Sequence, residues 1–289
     1  HRGTVPPYLP PDILTYYNET LAATMRSALA AGAAEGAQPA QRFEYERCHR
    51  SDEVAKAMKC LNSHKDSVFE AANVSFSLPA KYLSAVGGDV ESNKNIVRMA
   101  AGATQGCVAY GAGVAGNSDF EERLARSGCE VHAFDCTVPR DSASVRGKHF
   151  TFHKWCIGSL GDASFTGNIY AHSSEGLEFR SLENITKELG HTRIDIFKMD
   201  VEGFEYRILE SELLRSPALP LQIAFELHTE EASKRFVPVE NSRGKGYNQV
   251  SRLFLQLYDA GYRVISKQVN QYDPACAEYV LINVKQLQR

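Results

Sequence analysis

The chain has 289 residues and a mass of 32.0 kDa, and its 43% hydrophobic and 23% charged residues are ordinary globular usage. Its 32 Lys and Arg against 35 Asp and Glu give a net charge of −3, which argues against a strongly basic nucleic-acid binder or a polybasic membrane clamp. No apolar run approaches the ~18 residues that a membrane span needs. We therefore expect a globular protein that handles a small or neutral ligand.

The first hundred residues differ in character from the rest. Residues 1–11 are rich in proline and predict an extended segment, and Asp12 is a suitable N-cap for a helix that runs to about Ala31. Further helices are predicted over 51–63 and 93–103, whereas residues 64–92 give mixed signals. The chain is therefore expected to divide into a mostly helical N-terminal extension, 1–104, and a second domain, 105–289.

From Cys107 onward, predicted strands alternate with predicted helices. The strands are expected at 107–110, 130–135, 149–157, 193–199, 221–227, 262–268 and 277–284, and the helices at 118–127, 181–189, 204–214 and 248–260. Short, nearly continuous apolar runs are typical of strands buried on both faces. The pattern predicts an α/β fold with a parallel, Rossmann-like sheet covered by helices on both sides. Because only a short loop joins the last two strands, they should form an antiparallel hairpin at the sheet edge.

A glycine-rich turn follows the first of these strands. Residues 107–116 read CVAYGAGVAG, so that a buried strand runs directly into a G-x-G-x-x-G pattern. Glycine at such a turn adopts positive φ and lets the backbone approach a ligand closely. Tyr110, Gly111 and Gly113 are therefore predicted cofactor contacts.

The next helix and strand extend this signature. Ser118 and Glu121 predict a capping box at the helix start, and the following strand ends at Asp135. A carboxylate at that point can accept hydrogen bonds from both ribose hydroxyls of a nucleoside cofactor. A tight turn followed by a surface aspartate is the simpler alternative. The signature alone does not separate NAD from S-adenosylmethionine (SAM), but the terminal hairpin favours the class I methyltransferases.

Residues 194–205, with the sequence IDIFKMDVEGFE, closely resemble the K-[IM]-D-[VI]-E-G-x-E signature of the FkbM-type methyltransferases. Residues 119–121 and 128–135 resemble a related branch, the eukaryotic methyltransferase-like proteins, many of which are predicted to be secretory. The resemblance covers roughly residues 105–285. It implies a class I SAM-dependent methyltransferase, often an O-methyltransferase of sugars or other hydroxylated small molecules, with the adenine of SAM near Ile157.

Acidic residues and one histidine follow two strands beside the glycine-rich one. Asp200 and Glu202 end one strand, and Glu226 and His228 end the next, on the same side because strand side chains alternate. Ligands bind at the carboxyl ends of such strands, so these four residues are expected to converge over the cofactor methyl group. The alternative is that the acidic residues, including Glu205, favour helix N-termini and that His228 is a loop histidine.

This cluster has two possible catalytic roles. His228 is a candidate general base for an acceptor hydroxyl, acting together with Asp200. Alternatively, Asp200, Glu226 and His228 hold Mg²⁺ or Mn²⁺, which orients and acidifies the hydroxyl. The sequence leaves both roles open.

Three further features are weaker candidates. His153 and Trp155 lie on the third predicted strand, before the expected adenine contact. Lys198 is a charge inside a buried strand and needs a partner, for which Asp200 is one candidate. The polar loop 235–247 is a candidate lid or acceptor contact.

The cysteines and glycosylation sequons provide evidence on the cellular compartment of the protein. Sequons begin at Asn18, Asn73 and Asn184 and hint at the secretory pathway, although a cytoplasmic location stays open. The chain starts at His1, so we expect a trimmed upstream segment. Of the seven cysteines, four lie on or beside central strands and are expected to be buried free thiols: Cys107, Cys129, Cys136 and Cys156. This leaves Cys48 and Cys60 as the candidate disulfide.

The hypothesis that combines these features is a SAM-dependent O-methyltransferase with a small-molecule or glycan acceptor and no nucleic-acid partner. Two alternatives stay open, an NAD-dependent oxidoreductase and a degenerate methyltransferase fold that serves as an interaction module. The oligomeric state and the acceptor cannot be read from the sequence.

Overall fold

The structure is a computed structural model that describes residues 19–37, 78, 80–88, 93–97, 106–158, 177–230, 232, 239–270, 273 and 275–287. Its strands are β1 Leu83–Val86, β2 Lys94–Val97, β3 Val108–Ala112, β4 Glu130–Phe134, β5 Thr151–His153, β6 Cys156–Ile157, β7 Phe179–Arg180, β8 Ile196–Met199, β9 Gln222–His228, β10 Tyr262–Val269 and β11 Cys276–Asn283. Its α-helices are α1 Glu19–Gly32, α2 Asp119–Arg126, α3 Leu182–Leu189, α4 Glu205–Arg207, α5 Val239–Ser242, α6 Tyr247–Ala260 and α7 Val284–Leu287.

A seven-stranded sheet forms the centre of the fold, in the order β10-β11-β9-β8-β3-β4-β5. The five strands from β9 to β5 run parallel, and β11 lies antiparallel to both β9 and β10. The predicted α/β sheet with a terminal antiparallel hairpin is therefore confirmed.

Both faces of the sheet are covered, as the apolar runs predicted. In β8, Ile196 and Phe197 are fully buried and contribute to different apolar clusters. The cluster that contains Phe197 also includes Leu253 of α6, and the cluster that contains Ile196 also includes Phe120 of α2. Successive strand residues thus face two helical layers.

Helix α1 belongs to the predicted N-terminal extension and packs on α6. Met25 and Leu29 are buried, and the Arg26 guanidinium pairs with Asp259 at 2.8 Å. Residues 12–18 of the predicted first helix, and the whole predicted helix 51–63, lie outside the described residues. The described residues of α1 therefore pack against the C-terminal part of the chain.

The predicted helix over 93–103 is wrong in its described part, because Lys94–Val97 is a strand. It pairs antiparallel with β1, and Ile96 and Val97 are buried in the same apolar cluster as residues of β9 and β11. The Val97 amide donates to Gln222 Oε1 at 2.7 Å. Tertiary packing of β-branched residues therefore overrides the weak helical pattern. Residues 98–103 lie outside the described part.

The predicted capping box at the start of α2 is also wrong. The Ser118 side chain makes no cap bond, and its hydroxyl instead donates to the Ser144 carbonyl. Glu121 is buried and lies 3.6 Å from the Lys198 ammonium, so its carboxylate is directed to a buried charge rather than back to the helix start.

Two predicted elements are subdivided. The expected strand over 149–157 is interrupted, because β5 stays in the main sheet whereas β6 pairs with β7 in a separate small sheet. The expected helix over 204–214 begins as α4 and continues as a π-helix over Ile208–Leu213. The predicted helices 181–189 and 248–260 are confirmed by α3 and α6.

The expectation of four buried free thiols is wrong. Cys107 is bonded to Cys129, and Cys136 to Cys156, with Cα–Cα distances of 4.6 and 4.9 Å. The first pair joins neighbouring strands β3 and β4 where they begin, which brings the two side chains within bonding distance. Cys276 is a buried free thiol, and the proposed pair Cys48 and Cys60 lies outside the described residues.

Within the described part of the chain, no helix combines the length and the apolar character that crossing a membrane requires.

Alanine at both Cys107 and Cys129 should lower the free energy of unfolding by about 3 kcal/mol, because it removes a crosslink that closes a loop of 22 residues. Urea unfolding with and without reductant measures the loss. Cys276→Ala is the control, since any loss it causes should not depend on reductant. Alkylation of Cys107 and Cys129 in unreduced, denatured protein would contradict the pairing.

Candidate functional site

A cavity of about 460 Å³ opens at the carboxyl ends of β3, β4 and β8. This is the edge at which ligands bind in open parallel sheets. Its described lining combines glycines of the turn after β3, an aromatic wall and charged residues: Gly113, Gly116, Phe134, Asp135, Trp155, Ile157, Phe179, Lys94, Lys198, Asp200 and Glu202.

Gly113 lies in the turn after β3, close to the backbone of Asp200. Its φ is +80°, and a Cβ there would lie 1.7 Å from the Asp200 carbonyl oxygen. Its amide donates to the Phe134 carbonyl at 3.0 Å, and its carbonyl accepts from the Lys198 ammonium at 2.6 Å. Only glycine fits this position, because both the backbone angle and the neighbouring carbonyl exclude a side chain.

The Asp135 carboxylate lines the cavity but is largely engaged by the protein itself. Oδ1 accepts from the Thr137 amide at 2.8 Å and from the Thr137 hydroxyl at 2.6 Å, and Oδ2 accepts from the Val114 amide at 3.0 Å. An ionised carboxylate has about four acceptor positions, so one remains on Oδ2. Asp135 therefore retains capacity for one ribose hydroxyl rather than the two expected from sequence.

An aromatic wall lies beyond Asp135. The Trp155 ring contacts the Arg180 guanidinium, 3.6 Å from the ring centroid, and stacks on His153 with centroids 4.4 Å apart. Ile157 and the Cys136–Cys156 disulfide line the same part of the cavity. Flat aromatic and apolar surface next to a carboxylate is suited to a nucleoside base and its ribose.

The acidic turn after β8 is held in place by Glu205, its third acidic residue after Asp200 and Glu202. Glu205 Oε1 accepts from the amides of Val201 at 3.1 Å and Gly203 at 3.2 Å, and it lies 3.1 Å from His228 Nδ1. Glu202, between the two donors, adopts a left-handed φ of 52°. A non-glycine residue in this region is uncommon, and such positions occur often at functional sites.

Charges around His228 set its protonation state. Burial alone would lower its pKa, but the Glu205 carboxylate, helped by Glu226 and Glu202, raises that pKa well above its usual value. Its Nε2 lies 3.5 Å from Glu202 and 3.6 Å from Glu226. His228 is therefore an imidazolium at neutral pH, and it is only 3% exposed.

Glu202 differs from the buried His228 in its exposure and in the pH range in which it titrates. Burial, reinforced by the neighbouring carboxylates of Asp200 and Glu205, raises its pKa to about 8. Its side chain remains 40% exposed and lines the cavity. Glu202 is thus a carboxyl group that titrates near neutrality and is accessible to a ligand.

A buried lysine from β2 supplies a second internal cation. Lys94 is 1% exposed and forms an ion pair with Glu278 of β11. Burial would raise the pKa of Asp200, but the ammonium groups of Lys94 and Lys198 keep it below the usual value, so Asp200 stays ionised. Lys94 was not expected at this site, because its segment was predicted to be helical.

Burial also acts on the other carboxyl groups near Lys94. It raises the pKa of Glu278 to about 8, and it raises the pKa of Glu226 with help from the charge of Asp200. The Asn270 amide donates to Glu226 Oε1 at 2.8 Å. Some carboxyl groups of the cluster therefore hold their protons near neutral pH, and buried cations compensate the charge of the others.

The residues predicted from sequence do not all reach the cavity. Gly113, Asp135, Ile157 and Asp200 line it, whereas Tyr110, Gly111, Glu226 and His228 are not among its described lining residues. The Tyr110 hydroxyl lies 2.7 Å from His191 Nδ1 instead. Gly111 makes room for Glu121, whose Oε1 would lie 2.3 Å from a Cβ at that position.

Two further expectations concern Lys198 and the loop 235–247. Lys198 bonds to the Gly113 carbonyl and pairs with Glu121. The charge of Lys198 helps to lower the pKa of Asp200, its expected partner. In the polar loop, residues 235–238 lie outside the described part, α5 follows, and Asn241 lines the cavity and donates to the Glu202 carbonyl at 3.3 Å.

Taken together, the sheet with β11 inserted antiparallel between β9 and β10, and the cavity over the glycine turn, define a class I methyltransferase architecture. Residues 65–283 match the protein family described as "Methyltransferase domain". The chain therefore belongs to this family.

Curated relatives point the same way. The chain is 32% identical over 125 residues to probable methyltransferase-like protein 24 of Homo sapiens, which covers 42% of this chain and 32% of the relative. It is 32% identical over 128 residues to the Rattus norvegicus counterpart, with 43% and 34% covered. The match thus spans about a third of the length of these relatives.

Solved structures show weaker similarity. A 16S rRNA (adenine(1408)-N(1))-methyltransferase variant from Catenulisporales acidiphilia aligns with a TM-score of 0.35 at 11% identity, covering 69% of this chain and 98% of that chain. Magnesium protoporphyrin IX methyltransferase from Synechocystis PCC 6803 aligns with a TM-score of 0.32 at 10% identity, covering 94% and 100%.

Gly113→Ala should destabilise the ligand-free protein more than Gly147→Ala. Gly147 also has a left-handed φ, of +70°, but nothing lies within 4 Å of a Cβ there. The control therefore reports backbone strain alone, about 1 kcal/mol, whereas Gly113→Ala adds a steric cost of roughly 1–3 kcal/mol. Urea unfolding measures both variants, and equal losses would contradict the close approach to Asp200.

Proposed function

We propose that the chain is a SAM-dependent O-methyltransferase whose acceptor is a hydroxyl group of a sugar, a glycan or another hydroxylated small molecule. The observation that carries this proposal is the cavity, in which the glycine turn, Asp135 and the aromatic wall lie beside an acidic cluster. Membership of the methyltransferase-domain family supports methyl transfer. The resemblance of residues 198–205 to the FkbM-type signature supports oxygen as the acceptor atom.

The cavity suggests one orientation of the cofactor. SAM would lie across the turn at Gly113, with one ribose hydroxyl on the remaining acceptor position of Asp135 and the adenine against Trp155 and Ile157. Asp200, which stays ionised, would accept hydrogen bonds from the α-ammonium group of SAM. The acceptor would then enter beside Glu202.

Methyl transfer is an in-line displacement. The acceptor oxygen forms a bond to the methyl carbon, the bond from that carbon to sulfur breaks with its electron pair on sulfur, and the hydroxyl proton passes to a base. Alignment of the two reactants supplies much of the rate. We assign the proton to Glu202 rather than to His228, because Glu202 lines the cavity whereas His228 is buried and already protonated. His228 would then act with Asp200 by fixing the charge of the site.

A divalent cation at Asp200, Glu226 and His228 is the second role that the sequence left open. Ligand atoms of Asp200, Glu202 and His228 lie within 4.8 Å of one another, as do those of Asp200, Glu226 and Glu278. However, the buried ammonium group of Lys94 already lies beside these carboxyl groups, where it forms an ion pair with Glu278 and keeps the pKa of Asp200 below its usual value. These residues fit an internal lysine better than Mg²⁺ or Mn²⁺, so we propose transfer without a metal.

Maturation in the secretory pathway is also part of the proposal. Two disulfides support it, because such bonds form and persist in oxidising compartments. The sequon at Asn184 lies on the exposed side of α3, where an oligosaccharide can be attached. Peptide mapping of unreduced protein from secreting cells tests both features at once.

Calorimetric titration should show binding of SAM and S-adenosylhomocysteine but not of NAD. Asp135→Ala should weaken SAM binding at least tenfold, because it removes the ribose acceptor and releases the turn held through Val114. Asp141→Ala, an exposed aspartate in the following loop, is the matched control. Binding of NAD alone would replace the proposal with an oxidoreductase. Binding of SAM without transfer to any of a broad acceptor panel would favour an interaction module.

The methylation rate should rise with pH, reach half of its maximum near pH 8 and level off about one pH unit higher, because only ionised Glu202 accepts a proton. With the best acceptor of the panel, Glu202→Gln should lower the rate by roughly 10²–10⁴-fold and abolish this rise. Glu183→Gln, an exposed carboxylate paired with Lys187 on α3, should retain the profile. A rise that survives in Glu202→Gln would exclude Glu202 as base. Activity lost in EDTA and restored by Mg²⁺ or Mn²⁺ would favour the cation.

A further inference from the structure

A second polar cluster lies near the amino end of β4, whereas the cavity lies at the carboxyl ends of the strands. Glu130 is the first residue of β4, His132 follows two positions later on the same face, and His191 follows Gly190, the C-cap residue of α3. The cavity lies beyond the last residue of β4, so the two clusters occupy different ends of the strand. Neither the family membership nor the proposed methyl transfer uses these residues.

The three side chains converge on one point. Glu130 Oε1 lies 3.0 Å from His132 Nε2 and 3.2 Å from His191 Nε2, and the three ligand atoms all lie within 4.8 Å of one another. Around a tetrahedral ion with bonds of about 2.0–2.1 Å, neighbouring ligand atoms are roughly 3.3 Å apart. We propose that Glu130, His132 and His191 form a binding site for Zn²⁺.

The outer nitrogens of both imidazoles are already oriented. His132 Nδ1 lies 2.9 Å from His153 Nε2, and His191 Nδ1 lies 2.7 Å from the Tyr110 hydroxyl. Zinc-bound histidines carry their proton on the nitrogen that faces away from the metal and donate it to such a partner. Since a neutral imidazole and a hydroxyl can each accept, the hydrogen bonds that now hold the rings also suit the metal-bound tautomers.

The exposure of the ligands defines the kind of site. His132 and His191 side chains are 8% and 9% exposed, whereas Glu130 is 59% exposed. Two buried imidazoles with one exposed carboxylate leave a fourth position open to water and a path for the ion to enter. The bound ion would tie the turn after α3 to the start of β4 across Tyr110 of β3.

Zinc titration of tag-free, metal-depleted chain, in competition with a chromophoric chelator, tests the proposal directly. We expect one Zn²⁺ per chain, and Co²⁺ should show the visible absorption of a tetrahedral site. Glu130→Gln and His191→Ala should each weaken binding by more than the roughly 10–100-fold expected when an outer partner is lost, as in Tyr110→Phe. Glu130→Gln changes an exposed side chain by one atom, so it keeps the test valid if His191→Ala does not fold.

Two control variants locate the ion. His149→Ala removes a histidine that pairs with Glu122 at 2.6 Å elsewhere on the surface, and it should bind zinc as the unmodified chain does. Asp200→Asn should also retain binding, because it alters only the cavity cluster. The proposal is overturned if the unmodified chain takes up no zinc, if Glu130→Gln and His191→Ala bind normally, or if Asp200→Asn abolishes binding. Because the readout is zinc affinity, these outcomes are independent of methyl transfer.

Discussion

The hydrogen bond from Lys198 to the carbonyl of Gly113 is the interaction on which the cavity edge of the sheet depends. A buried ammonium group is costly unless it is paired, and here the Gly113 carbonyl and Glu121 satisfy it. Lys198 thereby joins β8 to the turn after β3, while the Gly113 amide joins that turn to β4. One charge buried in a strand thus determines where three strand ends lie around the ligand space.

Internal cations also determine the chemistry of the acidic cluster. Lys94 and His228 bring positive charge to a group of carboxyls that would otherwise repel one another. The effect differs between neighbours, because Asp200 is held ionised while Glu202 titrates near neutrality. Asp200 and Glu202, which are separated by a single residue, are therefore suited to different tasks. Asp200 is suited to binding an ammonium group, and Glu202 is suited to exchanging a proton.

The local sequence pattern predicted the central sheet but not the side-chain contacts between residues that are far apart in the chain. Apolar runs and the short connection between β10 and β11 were sufficient for the sheet, and period-2 alternation correctly placed Glu226 beside His228. Lys94 was not recognisable, because its partner Glu278 lies 184 positions away and strand β2 is only four residues long.

The site itself was only partly predictable, because the sequence does not show which groups are already engaged. The position of Asp135 after β4 indicated a ribose ligand, but the bonds from Thr137 and Val114 that occupy most of its carboxylate arise from turn geometry. Cysteine spacing likewise could not show that neighbouring parallel strands bring Cys107 and Cys129 together. The charge of His228 depends on Glu205, which sequence reasoning treated chiefly as a helix-capping residue.

The position of β11 has a consequence for the order of assembly. This strand lies between β9 and β10, so β10 joins the central sheet only through a strand that comes after it in the chain. Until β11 is in place, the edge of β9 exposes unpaired backbone groups that favour association with other chains. Glu278, which pairs with Lys94, also belongs to β11, so the buried lysine of β2 gains this partner from the same strand. Closure of the sheet and completion of the acidic site therefore depend on the same strand.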